Sequence, residues 1–474
     1  MKGFKIVLFV FLLINSIAFS QTTTINDSNF ERYLERYDIN GNYVGFGNSA
    51  SIGNGIEGDN LVFTSKVVAV KKINFEENFY KVNNYENIGE FTALETFIDV
   101  KNTYLEIDFS RNTLLRTIDI SGNSNLKKVS VEKNNLLTSL KLNNIPQIKD
   151  LLLTRNIALN DLELNNCNFT ILDITKNTLL TSLDLSDNSN LLTLDLTKNT
   201  ALTSLILNNS NITTIDITKN TLLTELSLIN QQLTTIDISK NTLLASINIS
   251  TTEYNVNTNL NVLDISKNTQ LTKFIALNSR IHYLDFSNNP LLTDVDLTIT
   301  NYEISYLYLT IQDSYLDFSN NLNLVNLSIS GQHFNSLNLS NNSALKNFNA
   351  HQLPILYKLD LSSNINLEKI DLNYNQLRQL NLKNGNNTII TMLRIYSSTL
   401  TCVAVDDLDY SNENWSNTDV LVSPGSFIFS AISKNQNTSY SLDNCNTTVI
   451  ESYYPQFENY LETHNAAGDV VNLG

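Results

Sequence analysis

The sequence predicts a repeat solenoid of the leucine-rich-repeat type, rich in β-structure and closed by a cap at each end. An asparagine recurs at steps of 21 or 22 residues, except for one step of 27 and one of 32. Apolar residues recur around it in the form L-x-x-L-x-L. Self-similarity at a period of roughly 20–29 residues is typical of such solenoids. The recurring asparagines are Asn112, Asn134, Asn156, Asn177, Asn199, Asn220, Asn241, Asn268, Asn289, Asn321, Asn342 and Asn364.

Each repeat contains two nested halves of 10 or 11 residues, as in LTSLILNNSNITTIDITKNTL at residues 202–222. Alternation of apolar and polar residues over a short run predicts a strand with one buried face. We therefore expect about 14 coils, each with two strand-like segments that face each other across a narrow core. In residues 202–222 the apolar positions are Leu202, Leu205 and Leu207, then Ile212, Ile215 and Ile217.

The recurring asparagine is expected to stabilise the turns between these segments. Each sharp turn leaves backbone groups pointing inward, and these groups need hydrogen-bond partners. A stacked asparagine amide can bond to the backbone of its own coil and of the next. The spacing therefore predicts a structural ladder that includes Asn177, Asn199, Asn220, Asn241, Asn268 and Asn289.

The two halves of the repeat vary to different degrees. The second half, called the fixed half below, is nearly constant, as in LDITKNT at 172–178 and IDITKNT at 215–221. Its Asp and Lys, such as Asp216 and Lys219, are expected to form a charge ladder between successive coils. The first half, called the variable half, changes at its outward positions. Because specificity usually resides where a repeated surface varies, we expect the variable half to form a concave binding face. Its outward residues include Asp184, Ile206, Ser227, Asn248 and Ile275.

Residues 1–20 read as a secretory signal peptide. Lys2 and Lys5 precede an apolar run, and Ala18-Phe19-Ser20 forms a small-x-small cleavage site before Gln21. A membrane anchor is disfavoured because the apolar run is short and polar sequence follows it. The net charge of −16 disfavours nucleic acid and anionic lipid as partners. We therefore expect an exported monomer without a transmembrane segment.

The repeats, over residues 101–400, are flanked by non-repetitive segments. Residues 21–100 read as the N-terminal cap region, with a short helix that begins after Asp27 or Ser28. Residues 401–450 read as the C-terminal cap. Residues 457–474 match residues 30–47 at eight of 18 positions, so we interpret residues 451–474 as the start of a second, truncated unit.

The three cysteines are Cys167, Cys402 and Cys445. Export permits disulfides, and Cys402 and Cys445 flank one non-repetitive segment that a bridge between them would close. Cys167 takes a turn position and is expected to be a buried free thiol.

These motifs together resemble a known group of proteins. The nested repeat LTxLxLxxNxLTxLDxxKNT, the FExYLE opening and the TCVxVDD…NW closing are similar to secreted leucine-rich-repeat proteins of Bacteroidota, often described as internalin-like. The resemblance covers nearly the whole chain. It implies a protein that is secreted or held on the exterior of the outer membrane, in a group often exported by type IX secretion. It implies binding of proteins or glycans, and it carries over no catalytic residue.

No catalytic or metal-binding constellation is evident, and we expect neither enzymatic activity nor a cofactor. None of the four histidines has a Cys, Asp or Glu partner at metal-ligand spacing. Residues 38–42 faintly resemble a calcium loop, but the ligand expected at loop position 12 is missing, and a turn of the cap is the better interpretation. The histidines are His282, His333, His351 and His464.

The functional signal lies in the irregular repeats. The 27-residue step contains six extra residues near Thr251–Asn257, and the 32-residue step contains about eleven and is rich in tyrosine. Tyrosines beside outward aliphatic residues predict a binding patch; the alternative is that the tyrosines only fill a distorted coil. The candidate ligand-binding residues are Ile206, Ile229, Ile275, Leu277, Tyr302, Tyr306 and Tyr308.

The sequence thus predicts a non-catalytic extracellular protein that binds a protein or glycan ligand through the variable face of a solenoid. The alternatives are a passive surface stalk and an accessory module of a longer polysaccharide-acting protein.

Overall fold

The computed structural model describes residues 21–76, 81–100, 103–251, 260, 262–279, 281, 283–300, 315–395, 399–415 and 439–441. These residues form a parallel β-solenoid. In chain order the strands are β1 (Thr22–Thr24), β2 (Leu61–Phe63), β3 (Lys72–Asn74), β4 (Thr96–Ile98), β5 (Glu106–Asp108), β6 (Thr117–Asp119), β7 (Lys128–Ser130), β8 (Ser139–Lys141), β9 (Asp161–Glu163), β10 (Ser182–Asp184), β11 (Ser204–Ile206), β12 (Glu225–Ser227), β13 (Ser246–Asn248), β14 (Lys273–Ile275), β15 (Asp294–Asp296), β16 (Tyr315–Asp317), β17 (Asn326–Ser328), β18 (Ser336–Asn338), β19 (Asn347–Asn349), β20 (Lys358–Asp360), β21 (Lys369–Asp371), β22 (Gln379–Asn381), β23 (Met392–Arg394), β24 (Cys402–Ala404) and β25 (Ser439–Ser441).

The variable halves build one continuous parallel sheet of 15 strands, ordered β3-β4-β6-β8-β9-β10-β11-β12-β13-β14-β15-β17-β19-β21-β23. Successive strands pair without a register shift, so that Leu183 lies beside Leu205 and Leu205 beside Leu226. The middle residue of each of these three strands is buried, and its two neighbours are partly or fully exposed. The predicted repeat solenoid of about 14 coils is confirmed. The sheet begins at Lys72, before the repeats become recognisable in sequence.

The fixed halves form a second series of segments, but these are paired as strands only toward the two ends of the solenoid. There they form β5-β7, β16-β18 and β20-β22-β24-β25. Between these groups the described fixed halves contain no named strand, and one isolated bridge joins Val262 to Tyr283. The prediction of two equivalent strands per coil was therefore only partly right. On the fixed-half side of this central region, the coils are joined by their buried leucines and isoleucines and by side-chain hydrogen bonds, while the sheet strands pair on the other side.

The recurring asparagines form an unbroken hydrogen-bonded ladder, and all of them are fully buried. Asn220 is representative: its Nδ2 donates to the carbonyl of Asn199 at 2.8 Å and to that of Leu196 at 3.1 Å. Asn241 in turn donates to the carbonyl of Asn220 at 2.8 Å. Both side-chain bonds reach the preceding coil. The bond within the coil is made by the backbone, since Leu223 N donates to the carbonyl of Asn220 at 3.1 Å.

The predicted charge ladder between Asp and Lys of the fixed half is absent. No ion pair in the described part of the chain joins these residues. Asp216 Oδ1 instead accepts from Thr218 Oγ1 at 2.7 Å and from Thr218 N at 2.9 Å. These two bonds hold the pKa of Asp216 below its usual value, with a smaller contribution from Lys219. The aspartate therefore stabilises its own turn rather than binding the next coil.

A second, mixed ladder runs through the turn that follows the sheet strand. Asn188 Nδ2 donates to Leu164 O at 2.8 Å, and Asn375 Nδ2 donates to Ala350 O at 2.8 Å. Cys167 occupies an equivalent place, where its Sγ donates to Leu142 O at 3.1 Å. The prediction that Cys167 is a buried free thiol is confirmed. Its burial raises the pKa of the thiol to about 12.

The N-terminal helix α1 (Ser28–Leu34) has Asp27, one of the two predicted residues, as its N-cap. Two fully buried glutamates, one in this helix and one just after it, accept hydrogen bonds from the backbone of the following glycine-rich loop. Glu35 accepts from Asn54 N at 2.6 Å, and Glu31 accepts from Gly58 N at 3.0 Å. Burial raises the pKa of Glu31 above its usual value.

Four further elements complete the described secondary structure, and no described helix is long and apolar enough to cross a membrane. The first is the helix α2 (Thr64–Val67), which follows β2. The helix α3 (Leu408–Asn414) has Asp407 as its N-cap and is followed by the buried Trp415. The two 3-10 helices are Ile88–Glu90 and Asn387–Ile389.

Candidate functional site

The variable positions lie side by side on the outer face of the 15-stranded sheet. Ile206 ends β11 and is in register with Ser227, and Ile275 ends β14 and is in register with Asn248. Ile229 and Leu277 follow β12 and β14 by two residues. All four apolar candidates are half-buried; Ile275 and Leu277 are neighbours on this face, and polar residues separate this pair from Ile206 and Ile229. They are therefore parts of a mixed face rather than a continuous hydrophobic patch.

In most coils, the third residue after the end of the sheet strand has a positive φ, and these residues form a column along the solenoid. From β6 to β21 it contains mostly Gly, Asn and Asp, the residues that accept this conformation at the least cost. The column is Gly122, Asn144, Asn166, Asp187, Asn209, Asn230, Asn278, Gly331, Gln352 and Tyr374.

The column is interrupted twice, and both interruptions coincide with the irregular repeats. Thr251 and Ile299 occupy the same place after β13 and β15, and neither has a positive φ. Thr251 precedes the extra residues of the 27-residue step, and Ile299 and Thr300 precede those of the 32-residue step. Both insertions therefore begin at the same edge of the sheet. Because β14 alone separates their coils, their starting points are about 10 Å apart.

Asn278, in the coil between them, bonds to the starting points of both insertions. Its Nδ2 donates to Thr251 O at 3.1 Å. Its Oδ1 accepts from Thr300 N at 2.7 Å and from Thr300 Oγ1 at 3.1 Å. One side chain thus fixes both starting points next to Leu277. This arrangement places the two irregular repeats beside the apolar candidates Ile275 and Leu277.

A depression of about 210 Å³ lies on the sheet face immediately beyond Ile275. Most of its polar groups are already ordered: Asn326 Nδ2 donates to Asp294 Oδ1 at 2.5 Å, and Asn347 Nδ2 donates to Asn326 Oδ1 at 2.6 Å. It is lined by Lys273, Ile275, Asp294, Val295, Asp296, Asn326, Leu327, Ser328, Asn347 and Asn349.

Two charged groups of this depression remain available to a ligand. The Lys273 ammonium makes no ion pair or hydrogen bond with the described residues. Asp296 uses Oδ1 to accept from Thr298 N at 3.0 Å, while its Oδ2 has no partner within the described chain. A cation, a carboxylate oxygen and the Ile275 side chain therefore surround one small concave surface.

Other predicted residues fall in different places. Tyr302, Tyr306 and Tyr308 lie outside the described residues, as do His282, His464 and Cys445. Cys402 is disulfide-bonded, and its pairing with Cys445 stays a prediction.

The other sequence candidates for chemistry have structural partners. The carboxylate of Asp38 accepts from Asn40 N and Asn42 N, both at 2.9 Å, which is the geometry of a turn. His351 Nδ1 lies 2.9 Å from Ser330 Oγ and 2.9 Å from Asn349 Oδ1. The described part of the chain holds no group of three or more His, Cys, Asp or Glu side chains suited to a metal ion.

Sequence reasoning missed the depression and the role of Asn278. The predicted aliphatic candidates are apolar, whereas most of the residues that line the depression are polar or charged. A signal for Asn278 did exist: the turn column reads Gly, Asn or Asp in most coils and is broken at Thr251 and Ile299.

A solved structure shows the same architecture. The functional domain of internalin J from Listeria monocytogenes, described as including a cysteine ladder, superposes with a TM-score of 0.57 at 22% identity over 76% of this chain and 78% of that one. This chain is a leucine-rich-repeat solenoid. Internalin F of the same organism gives a TM-score of 0.44 at 18% identity over 74% of this chain and 90% of that one. No protein-family model matches the sequence, and no curated protein is significantly similar to it.

Proposed function

We propose that the protein is a non-catalytic extracellular binding protein whose sheet face, around β13 to β19, binds a protein or a glycan. One observation carries the proposal: both irregular repeats begin at the same edge of the sheet, on either side of β14 and beside the depression. A solenoid that acts only as a spacer needs no such concentration of irregularity at one place.

The composition of the face supports binding rather than catalysis. Its ordered amides and carboxylates can form hydrogen bonds with a ligand, and Ile275 supplies an apolar contact. In the described chain, the Thr293 hydroxyl lies 2.6 Å from Asp294 Oδ2 but also donates to the backbone carbonyl of Thr272 at 3.0 Å, which is a structural arrangement rather than that of an activated nucleophile. Ser330, which contacts His351, is fully buried and so is closed to a substrate.

The signal peptide and the resemblance to secreted Bacteroidota proteins support a location outside the cell. We propose export by type IX secretion, with the mature chain secreted or held on the exterior of the outer membrane. Detection of the chain in the culture supernatant or on intact cells, and its loss from both when type IX secretion is blocked, tests this route. Unchanged export in the blocked strain contradicts it.

The binding proposal is tested by probing glycan and protein arrays with the purified full chain, followed by titration of the best hit. Ile275→Asp introduces a charge into the wall of the depression and should weaken binding by about tenfold or more, as expected for a residue near the centre of an interface. Lys219→Ala, on the fixed half, should leave the affinity unchanged.

Absence of any saturable hit favours the passive stalk. A hit that is lost with Lys219→Ala but insensitive to Ile275→Asp places the binding site on the fixed half. A catalytic domain encoded with the same chain favours an accessory role in polysaccharide degradation.

A further inference from the structure

Lys273, in the wall of the depression, lacks the ion pair that its position in the sheet offers. Three cations of the 15-stranded sheet stand in register with a carboxylate on an adjacent strand. Lys141 Nζ lies 2.6 Å from Glu163 Oε1, and Arg394 Nη1 lies 3.3 Å from Asp371 Oδ2. The third cation, Lys273, makes no ion pair within the described part of the chain. Its charge is therefore open to an anion from outside the chain.

The carboxylate in register with Lys273 belongs to Asp294, and it is engaged by other partners. Its Oδ2 lies 2.6 Å from Thr293 Oγ1, and its Oδ1 accepts from Asn326 Nδ2 at 2.5 Å. Asn326 is fixed in turn, because its Oδ1 accepts from Asn347 Nδ2 at 2.6 Å. Both carboxylate oxygens of Asp294 thus lie within a hydrogen-bonded row, which orders the side chains beside Lys273 without neutralising it.

The same row leaves a fixed set of hydrogen-bonding groups around the depression. Asn326 and Asn347 each use one side-chain N–H in the row and keep the other. Asp296 keeps its Oδ2 as an acceptor. These donors and acceptors suit a ligand with several hydroxyl groups. Because the side chains are already ordered, little of their conformational entropy is lost on binding.

The composition of the depression disfavours a protein as its occupant. Protein interfaces are enriched in aromatic residues, Met and Arg, and depleted in Lys, Asp and Ser. Among the described residues that line the depression, none is aromatic, Met or Arg, and most are Lys, Asp, Asn or Ser. Its volume of about 210 Å³ accommodates one sugar ring.

We propose that the depression binds a uronic acid residue of an acidic glycan, an inference that rests on the binding function proposed above. The sugar carboxylate pairs with Lys273, and a ring hydroxyl donates to Asp296 Oδ2. These residues lie on adjacent strands, two positions apart along them, so at ~4.8 Å between strands and ~3.3 Å per residue their Cα atoms are about 8 Å apart. One pyranose ring with its carboxylate spans the space between the two side chains. Other hydroxyls bond to the vacant amide groups, and Ile275 covers a carbon face of the ring.

The charges of the site favour an isolated carboxylate over a densely sulfated glycan. Lys273 is the cation among the described lining residues, and the carboxylate of Asp296 lies close to it. The chain as a whole has a net charge of −16 and repels polyanions. A uronic acid brings one negative charge and several hydroxyl groups in each ring, which matches one cation surrounded by hydrogen-bonding groups.

Isothermal titration calorimetry of the purified full chain with disaccharides tests the proposal. The probes are the disaccharides of galacturonic, glucuronic and mannuronic acid, each compared with its methyl ester, which keeps the hydroxyl groups and removes the charge. At least one acid should bind saturably, and its ester should bind about tenfold more weakly or worse, as expected for the loss of a charged hydrogen bond. In Lys273→Gln the acid should bind about as weakly as the ester, because the cation that distinguishes them is gone.

Lys369→Gln is the matched control. Lys369 is an exposed lysine at the first position of β21, four strands from β14 in the sheet and hence about 19 Å away, beyond the reach of a disaccharide in the depression. Its replacement should leave the affinity for the acid unchanged. Both lysines are exposed, and melting curves of each variant establish that it is folded.

The proposal is overturned if none of the acids binds, or if acid and ester bind the wild type equally. It is also overturned if Lys273→Gln keeps the preference for the acid, or if Lys369→Gln weakens binding to the same extent. Tighter binding of a sulfated disaccharide, or of a triglutamate peptide, replaces the uronic acid with another anion. Each of these results leaves binding by the sheet face standing, which fails instead when the array hit is insensitive to Ile275→Asp.

Discussion

Replacing Asn289 with alanine removes one member of the asparagine ladder and should destabilise the solenoid measurably. Asn289 is fully buried, and its Nδ2 donates to Ile265 O at 3.1 Å and to Asn268 O at 2.9 Å. Its Oδ1 accepts no hydrogen bond from the described residues, so the loss concerns the two donated bonds. At ~0.5–1.5 kcal/mol net for each bond, the change should lower the free energy of unfolding by about 1–3 kcal/mol.

The neighbouring Asn288 provides a matched control, because it is exposed and its Nδ2 reaches only Ser287 Oγ at 3.2 Å. In urea denaturation, Asn289→Ala should lower the midpoint while Asn288→Ala leaves it within error of the wild type. Asn289→Asp should be worse than alanine, since it places a carboxylate against two carbonyl oxygens. Equal midpoints for the two alanine variants would refute the structural role of the ladder.

Three further predictions concern titratable groups. Because burial raises the pKa of Cys167 to about 12, the native protein should resist thiol reagents at neutral pH and react only when unfolded; rapid native labelling would contradict this. The pKa of Asp216 is lowered by Thr218, so this bond should stabilise the fold above about pH 3.8, and its contribution should be lost as pH falls through the lower folded pKa. The melting temperature of Thr218→Val should therefore lie furthest below that of the wild type above about pH 3.8, and the two should converge in acid. A difference in melting temperature that stays constant with pH would contradict this expectation. Glu31 has a raised pKa, so its contribution to stability should fall as pH rises from 4.5 toward its folded pKa, and the melting temperature of Glu31→Gln should gain relative to that of the wild type over that range.

The regular part of the fold could be predicted from sequence because each coil repeats the same physical problem. A buried turn needs a side-chain donor, and the fixed spacing of the asparagines identified it. The predicted Asp–Lys pairing failed because spacing alone does not choose between competing partners. A threonine or serine follows each of these aspartates by two residues, as Thr218 follows Asp216, and this closer hydroxyl and its N–H occupy the carboxylate.

The candidate site was less predictable, because it arises from relations between coils that are not visible in any single repeat. Ile275 and Leu277 were identified from their apolar character. The ordering of Asp294, Asn326 and Asn347 into a hydrogen-bonded row depends on the register between strands that are distant in sequence. Likewise, the sequence presents Asn278 only as an ordinary turn residue. Its bonds to Thr251 and Thr300, where the two insertions begin, depend on how adjacent coils stack.

Photo-crosslinking with the best array hit tests most directly whether a ligand binds the sheet face. A photoreactive amino acid is placed at Ser328, which lines the depression on the sheet face, or at Thr235 on the fixed half. A ligand on the sheet face should give a covalent adduct from position 328, and this adduct should be lost on competition with unlabelled wild-type chain. An adduct from position 235 with none from position 328 would contradict the assignment of the binding face.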